Sequence, residues 1–157
     1  MSSNSKPRVF TDSNVIVSGL FLAEGAPAAI IDHFLSGKLT LVLSQQVLDE
    51  VVRTVKEKLP DMLPSLMKLL TTVPPEIRED PTPFELSRWD ETIDVEAAPI
   101  LAAAAAARPD FLVTADKHFF ENPDIPERSG LCILTPEQLL ERLGEATGNE
   151  AVSLPLF

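Results

Sequence analysis

Basic residues are scarce in this chain. Thirteen Lys and Arg stand against 24 Asp and Glu, a formal net charge of −11 over 157 residues. Phosphate contacts come from Lys and Arg, so this balance argues against a strong stand-alone nucleic-acid binder. A local basic patch, or metal ions neutralising both sides, would still permit RNA binding. Solubility or a basic partner protein would also account for the acidity. Cysteine is nearly absent: Cys132 is alone, so no internal disulfide forms. Flanked by Leu131 and Ile133, it reads as a buried apolar thiol. Long hydrophobic runs are missing too. Arg, Asp or Pro breaks each apolar stretch well short of the ~20 residues a membrane span needs. The first six residues are polar, without the apolar centre of a secretory signal. The expectation is a cytoplasmic protein with no membrane association. Internal repeats are also lacking.

What remains is ordinary globular material, 45% hydrophobic and 24% charged. The length suits one domain with a real core. Residues 1–144 are expected to form it, with Gly144 and Gly148 opening a tail over 145–157. Arg8 to Asp12 reads as a strand, ended by the turn-forming Asp12-Ser13-Asn14. Val15 to Leu22 suits a buried helix. Gly25 and Pro27 open another through Leu35, closed by Gly37. Leu39 to Leu43 is strand-like, and Ser44 caps a helix with Val47, Leu48, Val51, Val52, Val55 and Leu59 on one face. A helix from about Asp61 to Leu70 would bury Leu63, Leu66, Met67 and Leu70. Residues 76–93 read as a loop, or a strand with a loop. The alanines from Ala102 to Ala107 predict a core-packed helix. Phe111 to Thr114 and Leu131 to Leu134 are the later strands, with a short helix starting at Asp116. Thr135, Pro136 and Gln138 mark a final helix start. Strands alternating with helices predict an α/β/α sandwich, three layers around a mainly parallel sheet.

In such sheets ligands bind outside the carboxyl ends of the strands. That rule selects Asp12, which ends the first strand, and Thr114 and Asp116 after a later one. Glu50 lies on the helix after the second. Converging carboxylates repel unless a cation neutralises them. Mg2+ or Mn2+ takes oxygen ligands and keeps waters for phosphoryl chemistry. Taken singly, Asp12 equally suits a helix cap, Glu50 a solvated helix face, and Asp116 the cap of its own short helix. His33 and His118 read as surface or packing residues. Trp89 reads as half-buried cover for its loop.

The run from Thr11 to Leu20 (Thr-Asp-Ser-Asn-Val-Ile-Val-Ser-Gly-Leu) resembles the first motif of PIN-domain proteins. Leu112 to Lys117 (Leu-Val-Thr-Ala-Asp-Lys) resembles their last, and Ser44 to Glu50 their middle acidic motif. The resemblance spans residues 7 to 140 and is nearest to VapC-like toxin components of toxin–antitoxin pairs. It implies a Mg2+- or Mn2+-dependent ribonuclease acting on RNA, dimeric, and restrained by an antitoxin. Carried over, Asp12 is the central metal ligand with Ser13 and Asn14 as polar support. Glu50 is the second acid, and Asp116 a ligand beside Thr114. The third acidic position falls on Ala97, whose methyl binds no cation. Glu96 or Asp94, at the start of the alanine helix, would have to replace it. Otherwise the chain is a catalytically impaired PIN-fold binding module. A receiver-like phosphoacceptor domain is the remoter alternative, since Asp12 is followed by Ser13 rather than a second acid.

Overall fold

β1 (Arg8–Thr11) and β2 (Thr40–Ser44) pair in parallel, with Val9 opposite Leu41. On the other side β1 pairs with β4 (Phe111–Val113), with Thr11 opposite Val113. β3 (Glu76–Arg78) and β5 (Ile133–Leu134) complete an all-parallel sheet in the order β3-β2-β1-β4-β5. The computed structural model describes residues 6–147, with side chains to Gly144. The strands are nearly continuous apolar runs because both faces are covered. Val9, Phe10, Val42, Leu43, Leu112 and Val113 are all buried.

Helices supply the two covers. α1 (Ser13–Phe21) and α2 (Ala26–Leu35) follow β1. α3 (Gln45–Lys58) and α4 (Leu63–Thr72) follow β2, joined by a 3-10 turn at Pro60–Met62. These four pack on one another, and α9 (Pro136–Thr147) packs on α2. The chain then crosses back over the sheet. A right-handed crossover puts α5 (Pro83–Ser87) and α6 (Ala98–Ala107) on the opposite face. α7 (His118–Glu121) and α8 (Asp124–Ser129) follow β4. α8 is tied to the α5–α6 segment by Arg128 Nη2 to the Arg88 carbonyl at 3.0 Å, and Asn122 Nδ2 bonds the Thr92 carbonyl at 3.0 Å. The result is the expected three-layer α/β/α sandwich.

Arg8 holds the amino edge of the sheet together. Its guanidinium grips Glu76 with two bonds, at 3.0 and 2.6 Å, reaching past β2 to β3. Nη1 also bonds the last carbonyls of α6, Ala107 at 3.1 Å and Arg108 at 2.9 Å. A cation there meets the negative end of the helix dipole. Arg8 holds the Glu76 carboxyl below its usual range.

Several local readings change. α4 buries Leu66 and Leu69, while Met67 is 51% exposed, because the buried stripe is set one position round from the expected one. The segment 76–93 contains a helix, α5. Thr82, Pro83 and Glu85 form a capping box at its start, the same grammar that Thr135, Pro136 and Gln138 use at α9. Trp89 is 4% exposed, not half-buried, because Arg128 lies over its ring at 4.8 Å. Cys132 is half-buried, with the Arg142 guanidinium 3.9 Å from its sulfur. α8, ended by Gly130 at φ 72, fills a stretch with no expected element. Gly144 lies inside α9, and the tail beyond 147 falls outside the described residues. Among the described residues no single helix is long and apolar enough to cross a membrane.

α1 and α2 meet at 93° with Gly19 at the crossing. A Cβ there would lie 2.4 Å from Ile31 Cγ1 and 2.6 Å from the Pro27 carbonyl oxygen. In an open helix, Gly→Ala gains roughly 1 kcal/mol. Here the wall is backbone, so Gly19→Ala is expected to lose about 1–3 kcal/mol instead, as overpacking does. Urea unfolding reads the sign directly.

Candidate active site

The sheet order reverses at β1. The chain leaves β1 toward β2 on one side, and returns to β4 on the other. The carboxyl ends of β1 and β4 therefore open a crevice between diverging connections, the place where such sheets bind ligands. Because Thr11 pairs with Val113, the next residues, Asp12 and Thr114, stand abreast at its floor.

Thr114 Oγ1 donates to Asp12 Oδ2 at 2.5 Å and accepts the Asp116 N–H at 3.0 Å. One fully buried hydroxyl thus fixes both carboxylate-bearing positions. Asp12 Oδ1 accepts the Val15 N–H at 3.2 Å, capping α1. The capping and cluster readings of Asp12 are both true of one side chain. Asp12 is 8% exposed, and among the described residues no basic side chain pairs with it. Burial pushes its carboxyl above the ordinary range. The Thr114 and Val15 bonds pull it back, and the charges of Asp116 and Glu50 push it up again. An ionised Asp12 is therefore short of positive charge.

Asp116 turns Oδ1 to His118, accepting its N–H at 2.9 Å and meeting Nδ1 at 2.7 Å. Lys117 holds the N-cap position of α7, and Asp116, one residue before it, satisfies the first N–H of that helix while its charge acts on Asp12. His118 is half-exposed, and the Asp116 bond raises its pKa, helped by the charges of Asp116, Asp94 and Glu121. It was read from the sequence as surface or packing. The signal for more was the Asp-x-His spacing, which lets a carboxylate bond both the N–H and the ring two residues on. Glu50 is half-buried on α3. Ser44 caps that helix through the Val47 N–H at 3.2 Å, and Asp80 Oδ1 accepts the Gln46 N–H at 2.8 Å.

The remaining expected residues divide. Ser13 is buried and Asn14 exposed, and among the described residues neither side chain bonds to the cluster. Ala97, at the expected third acidic position, is 4% exposed and belongs to the hydrophobic core. Asp94 and Glu96 are exposed just before α6. Asp94 Oδ2 accepts the Glu96 N–H at 3.0 Å, and its carbonyl accepts the N–H groups of Ala97 and Ala98. The Asp94 charge reaches His118; Glu96 enters this set only through its backbone.

Among the described residues no three His, Cys, Asp or Glu side chains form a ready-made metal cage. The donor set still fits a hard cation. Asp12 is desolvated beside two like charges, and both bonds to the Asp116 carboxylate use Oδ1, leaving Oδ2 open. Mg2+ is commonly held by one or two carboxylates with waters completing its shell.

A doubly wound parallel sheet with carboxylates at its reversal point defines a class of ligand-binding α/β domains. The chain belongs to the PIN domain family, whose model matches residues 8–118. Among solved structures it is similar to VapBC2 from Rickettsia felis, solved with a DNA fragment from their promoter. That match has 17% identity and a TM-score of 0.59, over 82% of this chain and 98% of that one. It is also similar to PAE2754 from Pyrobaculum aerophilum, with 18% identity and a TM-score of 0.56, over 92% of this chain and 96% of that one. A comparison with curated proteins finds no match.

The Asp12 environment has a measurable consequence. Its folded pKa lies above the unfolded value of about 3.9. The folded chain therefore binds the proton more tightly, and stability falls as pH rises from the unfolded value through the folded one. Asp12→Asn keeps a good helix cap. It is expected to have a higher urea midpoint than wild type at pH 7, with the gap closing near pH 3. Mg2+ should raise the wild-type midpoint and leave that of Asp12→Asn in place.

Proposed function

We propose that this protein is a divalent-metal-dependent endoribonuclease of the PIN type, working as the toxin of a toxin–antitoxin pair. The observation that carries it is the line Asp12–Thr114–Asp116 at the sheet's reversal point, within reach of the Glu50 charge. Asp12, Asp116 and Glu50 would hold Mg2+ or Mn2+, directly or through water. The ion would lower the pKa of an attacking water and stabilise charge on the phosphate. Thr114 keeps the Asp12 carboxylate aimed and locks the loop that carries Asp116. His118 holds the other side of Asp116. With Ala97 in the core, Asp94 is the better placed of the two replacement acids, because its charge already reaches the Asp116–His118 unit.

The similarity to a VapBC2 structure supports an antitoxin partner. Phe21, Phe84 and Val95 are large exposed apolar residues of the kind an antitoxin or a second copy would cover. A homodimer in the cytoplasm, with the domain running at least to the end of α9 at Thr147, completes the reading.

Wild type with Mn2+ is expected to cleave single-stranded or structured RNA, and Asp12→Asn to lose at least about 100-fold in rate. Equal cleavage by both, or none at any Mn2+ concentration, would sink the nuclease reading. Ala97 favours one competitor, a PIN fold kept only for binding a partner. Calorimetric Mn2+ binding that disappears in Asp12→Ala counts against that competitor.

A further inference from the structure

Three helices end around one cleft, each with an arginine. Arg88 closes α5, Arg108 closes α6, and Arg128 stands in the last turn of α8. All three line a cleft with Trp89, Pro109 and Leu131 among its walls, and no Asp or Glu lines it. The ordinary account is that each cation complements the negative end of its own helix. That account does not explain why they converge, or why none is ion-paired. Among the described residues none of the three forms an ion pair, in a chain with 24 acidic residues. By contrast, the groove along α3 mixes Arg53 and Lys56 with Asp49 and Glu57.

The cleft is also prepared. Arg128 is fixed by Thr92 Oγ1, by the Arg88 carbonyl at 3.0 Å and by the Trp89 ring at 4.8 Å. Arg108 adopts a left-handed backbone at φ 53, rare for a residue with a side chain. Glycine would serve that turn better, so the side chain is kept at a backbone cost. Among the described residues the guanidinium groups of Arg88 and Arg108 make no hydrogen bond to protein.

We propose that this arginine cleft binds the phosphodiester backbone of single-stranded RNA, away from the bond being cut. The inference rests on the nuclease reading for the identity of the polymer. Guanidinium forks match phosphate oxygens in pairs. The cleft lies at the amino edge of the sheet, since the Arg108 carbonyl meets Arg8. The acidic site lies at the carboxyl edge. α6 connects the two edges, and its ten residues span about 15 Å. A strand of a few nucleotides covers that distance. Along it the half-buried Ala105 and exposed Ala106 leave a low wall, lined also by Glu85. Cations held apart from the acidic site answer the problem posed by a net charge of −11.

The test is fluorescence anisotropy of a labelled oligouridylate in EDTA, which keeps metal chemistry silent. The variants are Arg88→Ala, Arg108→Gly and their combination, with circular dichroism confirming the fold. Arg128 is left alone because it braces Trp89. Wild type is expected to bind at low salt, with the double variant at least about 10-fold weaker. Each single-strand phosphate contact contributes about 0.7 to the salt slope, so the double variant's slope should fall by about 1.4. No wild-type binding, or an unchanged slope in the double variant, overturns the proposal. Poly-glutamate displacing the oligonucleotide at lower charge concentration also overturns it, in favour of an acidic peptide. Arginine-dependent binding without Mn2+ cleavage would sink the nuclease reading and leave the cleft's affinity for RNA standing. Cleavage with arginine-independent binding would do the reverse.

Discussion

A carboxylate nearly sealed from water, without a cationic partner, is the constraint around which the rest of this domain is arranged. Asp12 would be unwelcome in an ordinary core. It persists because the parallel pairing of β1 and β4 sets Thr114 beside it, and because α1 starts there with N–H groups to offer. Those bonds satisfy oxygen atoms without neutralising charge. Nearby Asp116 and Glu50 deepen the deficit. A fold selected for stability alone would place an amide or an apolar side chain at this point. Keeping a charge there favours a cation, which makes the crevice a site rather than a flaw.

Much of this was legible before any coordinates. The strands at Arg8, Leu39 and Phe111 were visible as short apolar runs. The caps at Ser44 and Thr135 were visible as side chains with a definite partner three residues on. The carboxyl-edge rule picked out Asp12, Thr114 and Asp116 from topology alone. What stayed hidden depended on tertiary contact. Trp89 sits in a charged, proline-flanked stretch, and only the distant Arg128 explains its burial. α5 is five residues long, too short for a periodic pattern to show, although its capping box was spelled out in Thr82 and Glu85. His118 is the local exception: the Asp-x-His spacing permits its bond to Asp116, and the side-chain rotation of Asp116 makes it.

The alanine helix shows how scaffold and site compete for the same residues. α6 packs through small side chains: Ala98, Ala102, Ala103, Ala104 and Ala107 are all buried. Ala97 extends that surface by one position, at the place where the family resemblance put an acid. A carboxylate there would point into apolar packing unless the start of the helix shifted. Negative charge in this region is displaced outward to the exposed Asp94 and Glu96, which precede the helix.

The Arg8 clamp has a consequence in time. β1 is made first, yet it is the middle of the sheet. The Arg8 guanidinium waits for Glu76, 68 residues later, and Thr11 at the other end of the strand waits longer still for its register partner Val113. Contacts so far apart in sequence slow a two-state search. A ribosome-bound chain would carry a central strand paired on one side only, by β2, until β4 had emerged. The acidic crevice, which needs β4, can form only at the end of that sequence. A nascent chain therefore carries the residues of the site well before it has the site itself.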